Sequence, residues 1–268
     1  MAAAKSERKK GTLMKLIISP AKKMNMEEDL LEVRSLPAFL DRTQVLLDYM
    51  QGLDRNQAKT LWKCNDAIAD LNYARIQSMD LHSRLTPAIL AYEGIQYQYM
   101  APSVMGKEEL DYIEGHLRIL SGFYGVLRPF DGVRPYRLEM QARICLENGG
   151  RVCRDLYAFW GDSLYKEVAA ADRVIVNLAS KEYSRAVEPF LEPGIAFVQV
   201  VFGSLEADKR GEEKIKVKAT EAKMARGEMV RFLARTGAET PEDMKKFDGL
   251  GFAYSRAHSG ENTYVFLR

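Results

Sequence analysis

Two short apolar runs, far apart in the chain, constrain the fold most. KLIIS at 15–19 reads as a strand that is stopped by Pro20, because proline has no N–H for a ladder and restricts the residue before it. RVIVNL at 173–178 reads as a second, buried strand from its β-branched residues. Between them the apolar spacing is helical: Phe39, Leu40, Val45, Leu46, Leu47 and Met50 recur at helix intervals within 37–52. Asp54 is placed to cap a helix reaching about Lys63, and Asn65 to cap another through Ile68, Leu71 and Ile76. Strands separated by helices of this kind imply helical layers packed on a sheet.

The same pattern continues. A helix is expected over 107–120, with Leu110, Ile113, Leu117 and Leu120 on one face, and another over 155–168, with Leu156, Phe159, Trp160 and Leu164 inward. Segments 196–202 and 214–218 read as paired strands joined by a charged loop. Thr220 caps a helix to Leu233, 241–247 forms a short helix, and 252–254 with 263–267 closes as a hairpin. The residues after Pro87 form a buried element whose class the pattern leaves open. No linker, repeat or low-complexity tract divides the chain, so 14–268 is expected to be a single domain with a central mixed β-sheet covered by helices. Residues 1–13, small or charged, are expected to be a disordered extension.

Composition excludes several functions. A formal net charge of +2 is too small for tail-like or histone-like anion binding, so any such binding must come from local clustering. Three cysteines without metal-type spacing fit reduced thiols, and no apolar run approaches the roughly 20 residues of a membrane span. A cytoplasmic protein without membrane partners is expected. His82, His116 and His258 are widely separated and lack convincing i, i+3 or i+4 partners, so no metal site is expected.

Clustering is strong at 116–140, HLRILSGFYGVLRPFDGVRPYRLEM, which holds four arginines and no lysine. A guanidinium is a planar fork that grips phosphate bidentately, where an ammonium acts as a point charge. A helix followed by Gly122, Tyr124 and Gly125 also offers a helix-hairpin-helix-like element, in which glycines turn the backbone so that N–H groups face a phosphate. Helix-hairpin-helix glycines normally stand two apart and here they are three apart. A helix C-cap at Gly122 followed by a tight loop is the competing reading. Phe123, Tyr124, Phe130 and Tyr136 interleave with the arginines as base-stacking residues would, although aromatics beside glycine turns more often plug a core; at most Tyr124 or Tyr136 is expected to be exposed.

From Arg118 to Arg154 there are seven arginines against three acids, and from Lys209 to Arg226 seven cations against three acids. Two such strips can line one groove and hold nucleic acid through its backbone, with steep salt dependence and little sequence preference. Candidate contacts are Arg118, Gly122, Tyr124, Gly125, Arg128, Arg134, Arg137, Lys181, Lys216, Lys218, Lys223 and Arg226. Several of these arginines will instead pair with nearby glutamates on a solvated face.

The motifs IISPAK (17–22), AILAYEG (88–94), DLYAFWGD (155–162), VNLASKEY (176–183) and ARG (225–227), together with 116–140, resemble in order those of the YaaA family of bacterial peroxide-stress proteins. The resemblance implies a fold peculiar to that family and a role in limiting peroxide damage and unincorporated iron. It also implies binding of duplex, bent or branched DNA through a positive cleft and a helix-hairpin-helix element, which would fall on 110–128. No cofactor is expected, and the chain is expected to act as a monomer.

An enzyme is the alternative. Ser19, Asn177, Ser180 and Lys181 fall at predicted strand ends or helix starts, where open sheets hold ligands. Lys22, Arg137, Asp162 and Lys181 together would suit a nucleotide or other phosphorylated small molecule, with Asp162 and Glu182 as acid and base. The competing reading has Asn177 and Ser180 capping the next helix and Asp162 paired with a cation. No nucleophile elbow, Gly-Lys-Ser phosphate loop or Rossmann fingerprint is present.

Overall fold

The run at 15–19 becomes the middle of the sheet. In a computed structural model, which describes residues 14–26, 30–170, 172–207 and 211–268, every residue of the strand Met14–Ile18 is buried. It pairs in parallel with Val174–Asn177 on one side and Leu117–Ser121 on the other. Beyond Val174–Asn177 the parallel set continues through Ala196–Ala207 and Thr263–Leu267. The antiparallel strands Ala253–Tyr254 and Gly125–Leu127 close the two edges. Glu213–Lys216 pairs antiparallel with the distal end of Ala196–Ala207. The chain is one mixed α and β domain around this mixed sheet. The expected extension at 1–13 lies outside the described residues, as do Lys209 and Arg210.

Local signals set several helices. Asp54 accepts the backbone N–H groups of Asn56 and Gln57 while the Gln57 side chain accepts the Asp54 N–H, a reciprocal cap that starts Arg55–Trp62. Asn65 accepts the Ile68 N–H and starts Asp66–Gln77. The long helix Ala219–Thr236 packs against the short helix Ile95–Met100 and against Ala196–Ala207.

Three expectations are corrected. The helix expected over 107–120 is Lys107–His116, after which the chain enters the strand Leu117–Ser121, with Leu117 beside Leu16 and Ile119 beside Ile18. LRIL satisfies helical spacing and a fully buried strand equally well, and pairing with the central strand decides between them. Ser121 then pairs with Gly125 across a tight β-hairpin. Its Oγ accepts the N–H groups of Phe123 and Tyr124, and Gly125 takes a φ of +79° that disfavours other residues. No second helix follows, so the helix-hairpin-helix-like element does not form. The helix expected over 155–168 breaks at Gly161 and Asp162 into Leu156–Trp160 and Ser163–Ala169. The open element after Pro87 is a single helical turn, Ala88–Ala91, preceded by Thr86–Pro87 paired with Gly132–Val133.

Candidate functional site

Chain order singles out one crevice in the sheet. From Met14–Ile18 the chain crosses to Leu117–Ser121 on one side, whereas Val174–Asn177, on the other side, leads away to Ala196–Ala207. The loops leaving the carboxyl ends of Met14–Ile18 and Val174–Asn177 therefore diverge. Open α/β sheets bind ligands at such switch points. Ser19 and Ser180 stand in these loops and tie them together: Ser19 Oγ accepts the Ser180 N–H at 2.8 Å and donates to Ser180 Oγ at 3.2 Å. Asn177 shapes the second loop, its Oδ1 accepting the Ala179 N–H at 2.9 Å and its amide donating to Gln199 Oε1 at 2.7 Å.

A cavity of about 410 Å³ opens over this crevice. Tyr97, Tyr136 and Tyr183 line it, with the cations Lys22, Lys23, Arg137, Lys223 and Arg226 and the carboxylates Glu93, Glu139 and Glu182. Glu93 pairs with Lys23 at 2.7 Å, and Glu139 is shared by Lys22 at 2.9 Å and Arg137 at 3.3 Å. Burial, then the nearby Glu139 charge, raises the Glu182 carboxyl above its ordinary range, against the pull of the Gln141 N–H and Lys22. Arg226 differs from the other arginine. It makes no ion pair or hydrogen bond among the described residues, its Nε is buried, and burial alone pushes its guanidinium down. The Arg137 Nε is also buried without a partner.

A second cavity of about 340 Å³ adjoins the first, lined by Asn177, Lys181, Gln199, Val217 and again Arg226. The placement of Arg226 is a packing consequence. A Cβ at the next residue, Gly227, would lie 2.1 Å from the Gln96 carbonyl oxygen, so only glycine lets Ala219–Thr236 come this close to Ile95–Met100.

Four of the twelve candidate contacts line the cavities: Arg137, Lys223 and Arg226 the first, Lys181 and Arg226 the second. Lys216 and Lys218 are chain neighbours of Val217 but line neither cavity, and each pairs with a glutamate. The other six lie elsewhere. Arg118 is 9% exposed and its guanidinium donates to the carbonyls of Leu117 and Glu114. Gly122, Tyr124 and Gly125 are buried in the hairpin, where the Gly122 carbonyl accepts Trp160 Nε1–H and the Tyr124 hydroxyl accepts the Arg134 N–H. Their expected contact with phosphate is therefore corrected to a structural role. Tyr136 is buried too, its hydroxyl bonded to Ser121 and Tyr92. Arg128 is exposed near Glu167, at 3.9 Å, and Arg134 donates to the Arg84 carbonyl; neither lines the cavities described.

The enzymatic set is not assembled. Lys22 and Arg137 share the first cavity and Lys181 lies in the second, but Asp162 pairs with Lys166 at 2.6 Å and lines neither. Sequence reasoning missed Glu93, Glu139 and the wall tyrosines Tyr97 and Tyr183 as members of one site; the alternation of Arg137 and Glu139 beside the strand ends was the available signal. Among the described residues no group of three or more His, Cys, Asp or Glu is placed to hold a metal, and no helix is long and apolar enough to cross a membrane.

Residues 14–258 match the family model described as peroxide stress protein YaaA. The chain belongs to that family. It is 48% identical over 255 residues to a UPF0246 protein of Agathobacter rectalis, covering 95% of this chain and 99% of the relative. It is 50% identical over 255 residues to a UPF0246 protein of Desulfitobacterium hafniense, covering 95% and 98%. A UPF0246 protein of Pediococcus pentosaceus is 48% identical over the same length, with 95% and 98% covered. The family places the chain in the response to peroxide stress.

Proposed function

We propose that this member of the family binds DNA during peroxide stress, through the cleft formed by the two adjoining cavities and not through the arginine-rich hairpin. One observation carries the reading: Lys181, Lys223 and Arg226 surround the cleft without a carboxylate at ion-pair distance among the described residues. Lys216 and Lys218 extend the same positive border, although each already has a glutamate neighbour. Free cations gain most from a phosphate backbone, because each neutralised phosphate releases condensed counterions. The proposal includes bent and branched duplexes and a lowered level of unincorporated iron.

The test is a salt series of fluorescence anisotropy on duplex and four-way DNA. Lys181→Ala and Lys223→Ala are expected each to flatten the slope of log K against log salt by about 0.9, the value of one lost duplex phosphate contact. Arg128→Ala, outside the cleft, is expected to leave the slope unchanged. Loss of binding in Arg128→Ala with retention in the two lysine variants would return the site to the arginine-rich segment. Chelatable iron in peroxide-treated cells carrying the wild type or the double lysine variant tests the iron component.

A further inference from the structure

We propose that the 410 Å³ cavity at the switch point is also a site for a nucleoside monophosphate, which would share Lys223 and Arg226 with the proposed DNA cleft. The cavity falls within the range of roughly 300–1,000 Å³ typical of small-molecule sites. Its five cations face three carboxylates, leaving an excess of two positive charges. A phosphate monoester carries about −1.5 to −2 at neutral pH. The excess is localised, since Glu93 and Glu139 are already engaged by Lys23, Lys22 and Arg137, while Lys223 and Arg226 have no carboxylate partner among the described residues.

Depth separates this ligand from a duplex backbone. The Arg137 side chain is 11% exposed, and its Nε and that of Arg226 are buried without partners, so an anion that reaches both forks must enter the cavity. Forked guanidinium donors beside the paired Ser19 and Ser180 hydroxyls form a donor set suited to phosphate oxygens.

The remaining wall suits a flat ring. The Tyr97 hydroxyl donates to the Ser19 carbonyl at 3.0 Å, and that of Tyr136 is held by Ser121 at 2.6 Å and Tyr92 at 2.8 Å. With their hydroxyls engaged inside the protein, these residues contribute aromatic surface to the cavity, joined by Ile95, Leu138 and Tyr183. Aromatic surface beside a phosphate grip favours a nucleobase over a bare sugar phosphate.

The experiment is isothermal titration of the full chain with AMP, GMP, CMP and UMP, and with ribose 5-phosphate and inorganic phosphate as partial ligands, all without DNA. One-site saturation by at least one nucleotide is expected, with ribose 5-phosphate and phosphate weaker by about tenfold or more. Arg226→Lys and Arg137→Lys keep the charge but lose the fork, and each is expected to weaken nucleotide binding by about tenfold. Lys107→Ala, on an exposed helix, is expected to change nothing. Melting temperatures of the lysine variants establish that they remain folded. Absence of saturable binding by all four nucleotides would overturn the proposal. So would equal affinity for ribose 5-phosphate, or undiminished binding in folded Arg226→Lys and Arg137→Lys proteins. Because no DNA is present, a failed DNA proposal leaves this outcome readable.

Discussion

Gly227→Ala separates helix propensity from packing because the two act in opposite directions. In an exposed helix interior the change would stabilise by about 1 kcal/mol. At this position the new Cβ would sit 2.1 Å from the Gln96 carbonyl oxygen and 3.0 Å from both the Gln96 carbonyl carbon and the Met100 nitrogen. All three neighbours are backbone, so no rotamer change relieves the contact, and the helices Ala219–Thr236 and Ile95–Met100 must move apart. Overpacking typically costs about 1–3 kcal/mol, and a backbone contact this short belongs at the upper end. Subtracting the propensity gain leaves a net loss of about 2 kcal/mol. At about 2–4 °C per kcal/mol for a domain of this size, the melting temperature should fall by about 4–8 °C. Thermal unfolding followed by circular dichroism, with a urea series for the free energy, measures both quantities. An unchanged or higher melting temperature would refute the close approach and the positioning of Arg226 that depends on it.

Other positions give independent tests. Tyr136→Phe removes the buried hydroxyl that Tyr92 and Ser121 share, leaving the Tyr92 hydroxyl without that partner while Ser121 keeps the Phe123 and Tyr124 N–H groups, and should cost about 1–3 kcal/mol in urea unfolding; a change near zero would mean that the hydroxyl network is not formed. Lys15 and Asp172 form a buried pair at 3.0 Å, so Asp172→Ala should cost about 3–5 kcal/mol, while the apolar double variant Lys15→Met/Asp172→Leu should recover most of the loss. Equal instability of the single and double variants would contradict that reasoning. Glu182 supplies a pH test: its carboxyl is raised in the folded chain, so the folded state holds this proton more tightly than the unfolded state does. Its stabilising effect is complete below the ordinary value of 4.5 and is lost as pH rises through the raised value. Glu182→Gln should flatten the part of the stability profile above pH 4.5, and parallel profiles for the two proteins would argue against it.

Much of the fold was legible because its signals are local. The Asp54 and Asn65 caps need only neighbouring backbone N–H groups, and the strands at 15–19 and 173–178 carry their β-branched character in their own residues. Leu117 to Leu120 was not legible in this way. The residues fit a helix face and a buried strand equally, and what decides is the pairing with Leu16 and Ile18, a hundred positions earlier in the chain. That ambiguity supported the helix-hairpin-helix expectation, which the family resemblance also implied, since a helix carried to Leu120 leaves the following glycines to be read as a phosphate loop. Once Leu117–Ser121 is a strand, the same glycines serve a buried hairpin.

The arginine-rich segment illustrates why charge density in sequence does not locate a site. Arg118, Arg134 and Arg137 are close in the chain, yet Arg118 donates from one terminal nitrogen to the carbonyls of Leu117 and Glu114, Arg134 reaches the Arg84 carbonyl, and Arg137 lines the switch-point cavity. The residues that do converge on that cavity come from four separated segments: Ser19 after the first strand, Arg137 after the hairpin, Ser180 after Val174–Asn177, and Arg226 on the long helix. Only the strand order, with Met14–Ile18 between Val174–Asn177 and Leu117–Ser121, brings the first three to one end of the sheet. Gly227 then sets how closely the fourth approaches. Arg226 lies where both cavities meet, so its replacement is expected to weaken DNA and nucleotide binding together, whereas Lys181→Ala, in the second cavity alone, should weaken DNA binding and spare nucleoside monophosphate binding. Equal loss of both affinities in Lys181→Ala would show that the two cavities act as one site.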